Sequence, residues 1–368
     1  MKIGILTSSR ADFGIYTPLI RALLQNSSVT VELIAFGTHL SPYHGYTLSE
    51  FEHWNQVIIR KVFGMPLEDH PGAVASAYGT LVSNFAQFWG EHSFDRVLCL
   101  GDRFEMCAAV QAGIPLEVKF AHLHGGETTL GAIDNIYRHQ ITLASHMHFT
   151  ATEAYRQRVK DILGSDENVY WTGAISIENI HEEPVPSWPE TKEKFGISAN
   201  DFALVTFHPE TVEPTRNEQY AQIATDALAD LSEEIPIVIT LPNADSYGAI
   251  YRRMFTELAS STTNDIILIE SFGRSHYFSA LTQAKFVLGN SSSAIIEAAS
   301  FNKRVVNVGD RQKGRIKSEN VIDVPFDHQL ILSTCHTLMN ASHYQGSNLY
   351  FKQGGITEIV KYLLNEQA

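Results

Sequence analysis

From Lys2 to Val308, short apolar runs alternate with amphipathic segments, and this alternation restricts the chain to parallel sheets covered by helices. A strand buried on both faces reads as an unbroken apolar run, while the helix that returns over the sheet carries a stripe of 3.6-residue period. In the first half the strand segments are Lys2 to Thr7, Val29 to Phe36, Arg96 to Leu100, Lys119 to His122 and Met147 to Thr150. Helices are predicted from Ile15 to Leu24, Ala73 to Trp89, Phe104 to Ala112, Asp134 to Ser145 and Glu153 to Leu163. The proline-rich stretch Glu182 to Pro189 interrupts the pattern and is expected to be a linker. Strands resume at Phe202 to Thr206, Ile235 to Thr240, Ile266 to Glu270, Lys285 to Leu288 and Arg304 to Val308. A chain of 368 residues exceeds what one core usually serves, so two Rossmann-like α/β domains are expected, residues 1–180 and 181–350, with a cleft at their strand carboxyl ends.

Composition narrows the partners. A formal net charge of −14 opposes a general role in binding nucleic acid or an anionic membrane. No apolar run reaches membrane-spanning length, and the apolar start at Met1 to Leu6 is too short for a secretory signal, so a cytoplasmic protein is expected. Cys99, Cys107 and Cys335 are scattered, with neither metal spacing nor an even count, which fits a reducing compartment.

The polar motifs fall just after strands. The apolar segment ending at Leu288 breaks into Gly289-Asn290-Ser291-Ser292-Ser293, where a helix start would aim free N–H groups and its positive end at an anion. Glu297, just over one turn inside that helix, is placed for sugar hydroxyls beside a bound phosphate; an ordinary serine N-cap is the plainer reading. Arg10, His208, Arg311 and Arg315 follow other strands and could neutralise a diphosphate without metal. His39 follows the second strand, and Asp102 the strand ending at Leu100. Asp102, Glu127 and Asp134 could share one pocket, with Arg138 and His139 holding carboxylates ionised; alternatively Asp134 and Arg138 form only an intrahelical pair. The pair Gly125-Gly126 would let the backbone approach a ligand closely. His122 and His124 have spacing for a shared face, but a third close metal ligand is missing. No Asp-x-Asp, phosphate-loop lysine motif or G-x-G-x-x-G occurs, so no metal, ATP or dinucleotide cofactor is expected.

Taken in order, Ser9-Arg10-Ala11-Asp12, Gly101-Asp102-Arg103-Phe104, His124-Gly125-Gly126-Glu127, Asp134 to His139, His208-Pro209, Gly289-Asn290-Ser291-Ser292 and Arg311 to Arg315 resemble the hydrolysing UDP-N-acetylglucosamine 2-epimerases and their relatives acting on UDP-2,4-diacetamido-2,4,6-trideoxyglucose. The resemblance implies a glycosyltransferase B-like fold with UDP on the second domain, the sugar facing the first, and a C-terminal helix, Ile356 to Leu364, returning across the boundary. It implies elimination of UDP to a 2-acetamidoglucal, followed by addition of water to give N-acetylmannosamine or its analogue. On that basis Ser291, Ser292, Ser293, Arg10 and Arg315 stabilise departing UDP, with His208 as donor to the phosphate or glycosidic oxygen. Asp102 and Glu127 handle the C2 proton and the water, Asp134 and Arg138 support the sugar, Glu297 binds ribose, and Tyr277 or Phe278 packs on uracil. Relatives nearest the animal enzyme carry glutamate where this chain has His124, which leaves the sugar and the role of His124 open. A homo-oligomer is expected. The alternatives are a non-hydrolysing epimerase, a glycosyltransferase and a non-catalytic sugar-nucleotide sensor.

Overall fold

The computed structural model describes residues 1–41, 46–51, 54–65, 70–178, 180, 185–242 and 247–365. The chain divides into two units, Met1–Glu127 with Asp134–Ile180 and Tyr350–Ala368, and Thr128–Ile133 with His181–Leu349.

The first unit contains β1 (Lys2–Thr7), α1 (Arg10–Leu24), β2 (Thr30–Ala35), β3 (Ile58–Lys61), α2 (Pro71–Glu91), β4 (Arg96–Leu100), α3 (Phe104–Gly113), β5 (Phe120–Leu123), α4 (Asp134–Ala144), β6 (Met147–Thr150), α5 (Glu153–Leu163) and β7 (Val169–Trp171). Among the described residues its strands form one parallel sheet in the order β3-β2-β1-β4-β5-β6-β7. The order reverses between β1 and β4, and the carboxyl ends beside such a reversal are where sheets of this kind bind ligands. One sheet face packs Ile3, Ile5, Leu33 and Leu98 against α1, and the other packs Val97 and Cys99 against α2 and α3.

The second unit contains α6 (Trp188–Phe195), β8 (Ala203–Thr206), α7 (Asn217–Leu231), β9 (Ile237–Thr240), α8 (Gly248–Ser261), β10 (Ile266–Ile269), α9 (Gly273–Gln283), β11 (Phe286–Gly289), α10 (Ser292–Ile296), β12 (Val305–Val308), β13 (Val321–Val324) and α11 (His328–Met339). Its described strands pair in parallel in the order β10-β9-β8-β11-β12-β13, so the reversal falls between β8 and β11. The segment Thr128–Ile133 belongs here through Leu130, whose N–H donates to the Lys313 carbonyl at 2.9 Å, and Ile133, whose N–H donates to Thr211 Oγ1 at 3.0 Å. The last helix, α12 (Gly355–Asn365), belongs to the first unit: Ile356, Ile359 and Leu363 enter the core with α1, and the Tyr362 ring stacks on Tyr170.

Two sequence expectations change. The expected linker Glu182 to Pro189 lies partly outside the described residues, and its end is helical. Ser187 caps α6 by accepting from the Glu190 N–H while Glu190 bonds back to the Ser187 N–H, and Pro189 occupies the first turn, where a missing N–H costs nothing. Helix α1 begins at Arg10, before the expected Ile15, because Ser9 caps it and Asp12 lies in its first turn.

Candidate active site

In the first unit the polar groups gather around one buried arginine. Arg138, on α4, is 2% exposed at its side chain and bonds the Asp102 carboxylate. It also donates to the His124 carbonyl at 2.8 Å, and Glu127 Oε2 lies 3.7 Å from its Nη1. The Glu127 side chain is 2% exposed and Asp102 is 24% exposed. A guanidinium so buried is tolerable only when paired, and the carboxylates supply the pairing. Arg138 therefore turns toward Asp102 and Glu127, beyond the intrahelical alternative. Asp134 opens α4, half-buried; burial, and then the Asp134 charge, push the Tyr137 phenol up.

The histidines fix the loops around this arginine. His122 Nε2 donates to the Gly101 carbonyl at 2.9 Å, and its Nδ1 lies 3.2 Å from the Thr142 hydroxyl. Burial pushes this imidazole down to about 3, so it stays neutral with both nitrogens engaged. His124 Nδ1 contacts Glu127 Oε1 at 2.6 Å. The close backbone approach expected of the glycine pair is to the protein itself. A Cβ on Gly126, whose φ is +77°, would lie 2.5 Å from the Tyr155 carbonyl of α5.

Two first-unit candidates part company. Arg10 is half-buried at the start of α1, beside the reversal between β1 and β4. His39 is fully buried, with Thr7 Oγ1 at 2.9 Å from Nε2, Thr47 Oγ1 at 2.8 Å from Nδ1, and the Phe51 ring edge-on. Burial pushes it down to about 4. Its two nitrogens tie the turn after β2 to the end of β1 and to Thr47.

In the second unit an amide lattice holds the loops at the β8 and β11 ends. Gly289 has φ +135°, and a Cβ there would lie 1.9 Å from the Thr206 carbonyl, so only glycine lets β11 end so close to β8. The buried Asn290 that follows accepts the His208 N–H at 2.7 Å and donates to the His208 carbonyl at 2.8 Å. Asn217 holds Glu210 in the same two-bonded way, at 2.9 and 2.8 Å. Glu210 Oε1 in turn accepts the N–H groups of Asp310 and Arg311, at 2.6 and 3.1 Å. Burial holds its carboxyl above the ordinary range. Gln312 donates to the Asn290 carbonyl at 2.8 Å and accepts from Arg315 Nε at 2.9 Å, while Arg311 Nη1 approaches the same carbonyl at 3.5 Å. His208, Arg311 and Arg315 are thus tied to one another.

The serine run differs in detail from expectation. Helix α10 holds only Ser292–Ile296, with Ser291 at its N-cap. Glu297 ends it, because the short crossover to β12 tightens into a 3₁₀ turn over Ala298–Phe301. The Tyr277 hydroxyl lies 2.8 Å from Ser293 Oγ, which lies 3.1 Å from Ser291 Oγ. Burial, and then the Glu297 charge, push the Tyr277 phenol up. Tyr277, Ser291, Ser293 and Glu297 therefore stand together, with Ser292 half-buried between them in sequence. Phe278 is buried against Phe301 and belongs to the core.

Sequence reasoning missed the amide supports Asn290, Asn217 and Gln312. Neutral amides carry no charge signal, and their importance follows only from burial and from having both amide atoms bonded.

Two parallel α/β units with polar loops at their strand carboxyl ends define a glycosyltransferase B-like protein. The chain belongs to the UDP-N-acetylglucosamine 2-epimerase family, whose model matches residues 21–364. It is 33% identical over 352 residues to the hydrolysing UDP-N,N'-diacetylbacillosamine 2-epimerase of Legionella pneumophila, covering 95% of this chain and 92% of that protein. It is 28% identical to polysialic acid biosynthesis protein P7 of Escherichia coli, covering 98% of this chain and 93% of the other. The fold is similar to the UDP-N-acetylglucosamine 2-epimerase of Neisseria meningitidis solved with UDP-N-acetylglucosamine, with a TM-score of 0.83, 18% identity and 100% of both chains covered. The family and fold expected from the motifs are borne out.

Proposed function

We propose that this protein is a hydrolysing 2-epimerase, which converts a UDP-linked 2-acetamido sugar and water into UDP and the free sugar inverted at C2. The observation that carries this reading is the convergence of Asp102 and Glu127 on buried Arg138, just past the strand ends. The proton at C2 has no adjacent carbonyl to acidify it, so cleavage of the C1–O bond must lead. Charge growing on UDP is then what needs preformed donors, each contributing on the order of 3 kcal/mol in a water-poor site. Arg10, Arg315, Ser291, Ser292 and Ser293 fill that role, with His208 as donor to the phosphate or glycosidic oxygen. The nucleotide falls to the second unit, with Glu297 on ribose, Tyr277 beside the base and Arg311 beside the phosphates. The sugar falls to the first, where the proton work is done beside Asp102 and Glu127, with Asp134 and Arg138 in support.

The sugar placed first is UDP-2,4-diacetamido-2,4,6-trideoxyglucose, because the 33% identical relative is named for N,N'-diacetylbacillosamine, which is that sugar. UDP-N-acetylglucosamine is the second reading, favoured by the name of the family. The test incubates the protein with each UDP sugar in deuterated buffer containing EDTA and identifies products by NMR. The expected products are UDP and a free manno-configured sugar carrying deuterium at C2. An epimer still linked to UDP would make the enzyme non-hydrolysing, and no conversion of either sugar would sink the reading.

A further inference from the structure

Inverting C2 through a planar glycal requires a proton to leave one face of the ring and another to arrive on the opposite face. One side chain cannot serve both faces, so the reaction needs two proton carriers. Asp102 is one candidate, with its carboxylate partly exposed. Glu127 is poorly suited to be the other: its side chain is 2% exposed, one oxygen contacts His124 Nδ1 at 2.6 Å, and the second faces Arg138.

His124 has what Glu127 lacks. Its Nδ1 is held by the carboxylate, and its Nε2 is buried with no hydrogen-bond partner among the described residues. An orphan of this kind has room for a partner from outside the described residues. With the proton on Nδ1 donated to Glu127, the Nε2 lone pair is left as an acceptor; this tautomer follows from the geometry of the contact. The backbone agrees: His124 has φ +62°, a left-handed conformation that costs a non-glycine residue free energy. It is pinned there from both sides, by its N–H to the Phe149 carbonyl at 3.0 Å and by its carbonyl to Arg138 at 2.8 Å. Among the described residues Glu127, Arg138 and neutral His122 interact with it.

We propose that His124 Nε2 is the base that takes the C2 proton and that Glu127 is its positioning residue, an assignment that rests on the hydrolysing 2-epimerase reading. In the first half-reaction the C1–O electron pair leaves with UDP, the C2–H pair becomes the C1=C2 bond, and the proton passes to Nε2. In the second, the water oxygen bonds C1 and loses a proton to the Asp102 carboxylate, which hands it to C2 on the other face, where the C1=C2 pair forms the new C–H bond; Asp102 ends ionised, as it began. His124 gives its proton to solvent as the products depart.

The test is His124→Gly, because glycine adopts φ +62° without strain and keeps both backbone anchors. Turnover is expected to fall about a hundredfold or more while UDP binding is retained, and added imidazole is expected to restore part of it. In that background Glu127→Gln is expected to cause a smaller loss than it does in the wild-type protein, since one of its two partners, His124, is already gone. Turnover within a fewfold of wild type would overturn the proposal, as would a full, multiplicative loss from Glu127→Gln. Normal UDP release with accumulation of the glycal would also overturn it, because His124 would then serve only the second half-reaction. A second variant, His124→Gln, guards against misfolding of the first: if it folds, binds UDP and keeps wild-type turnover, His124 is not the base. If the wild-type protein converts neither UDP sugar, it is the functional reading that fails, and the base assignment falls with it.

Discussion

Beside the reversal of the first sheet, ionisable side chains bond to one another: Arg138 to Asp102, and Glu127 to His124. At the reversal of the second, amide side chains bond to backbone: Asn290 to His208 and Asn217 to Glu210, each twice. Both sets sit at strand carboxyl ends, but they respond to different demands. A set of coupled charges can trade protons, and removing one member strands the others. The amides cannot titrate; they fix where donors point, which suits an anion whose charge does not change sign during the reaction. Substitutions in the first unit should therefore alter chemistry and stability, and those in the second should alter nucleotide affinity.

Arg138→Leu strains this contrast most. The substitution leaves Asp102 and Glu127 without their buried cation, and breaking such a pair costs about 3–5 kcal/mol. Denaturant unfolding should show that loss, and turnover should be abolished. A variant as stable as wild type would mean that the two carboxylates are protonated or hydrated when Arg138 is absent.

The units should also differ in acid. His122, pushed down to about 3, and His39 and His148, each pushed down to about 4, are all in the first unit. Burial is the leading cause in each case. A base whose folded pKa lies below its unfolded value of about 6.5 binds fewer protons when folded, so stability falls as pH drops below about 6.5. By pH 4 each histidine has cost on the order of 3 kcal/mol. In the second unit, burial and then Lys285 push Lys303 down to about 8, so its penalty grows as pH falls from the lysine range toward 8 and adds nothing below. Hydrogen exchange followed by mass spectrometry from pH 7 to 4 should show first-unit amides losing protection first. Equal loss in both units would break the distinction.

Asp102→Asn sharpens the same contrast through kinetics. The amide keeps the shape but cannot carry the proton, so turnover should fall about a hundredfold or more with UDP affinity near normal. A change confined to UDP binding would move Asp102 out of the sugar site.

Much of this arrangement was legible in the residues. Fully buried strands such as β4 and β11 announce themselves as apolar runs, whereas the edge strands β3 and β13 do not. Among the described residues Ile58–Lys61 and Val321–Val324 have one flank without a sheet neighbour, and polar residues interrupt them, so no apolar run marks them. Charged site residues were visible because Asp102 and Glu127 follow strands and Arg138 lies one turn into a helix. Their partners were not, since the link from α4 to the β4 loop joins residues 36 apart in sequence. His39 was legible only as a residue after a strand, and the two threonines on its nitrogens, distant in sequence, were not.

The smallest expected effect is on Glu297. Its carboxylate ends α10 half-buried, close enough to Tyr277 for its charge to push that phenol up, and Tyr277 is bonded to the serine run. A charged acceptor beside donors suited to phosphate is placed for neutral hydroxyls, and ribose offers two. Losing hydrogen bonds to a charged group costs about 1.5–3 kcal/mol, but water reaches a half-buried site, so the lower end applies. Glu297→Ala should then weaken UDP about tenfold by calorimetry, with saturated turnover nearly unchanged. Deoxyuridine diphosphate supplies the control: if Glu297 holds the 2′-hydroxyl, the substitution should matter less for the deoxy ligand than for UDP. Equal weakening of both ligands would place the carboxylate on the 3′-hydroxyl or the loop. Unchanged affinity for both would remove Glu297 from the nucleotide site and leave the amide lattice to position UDP alone.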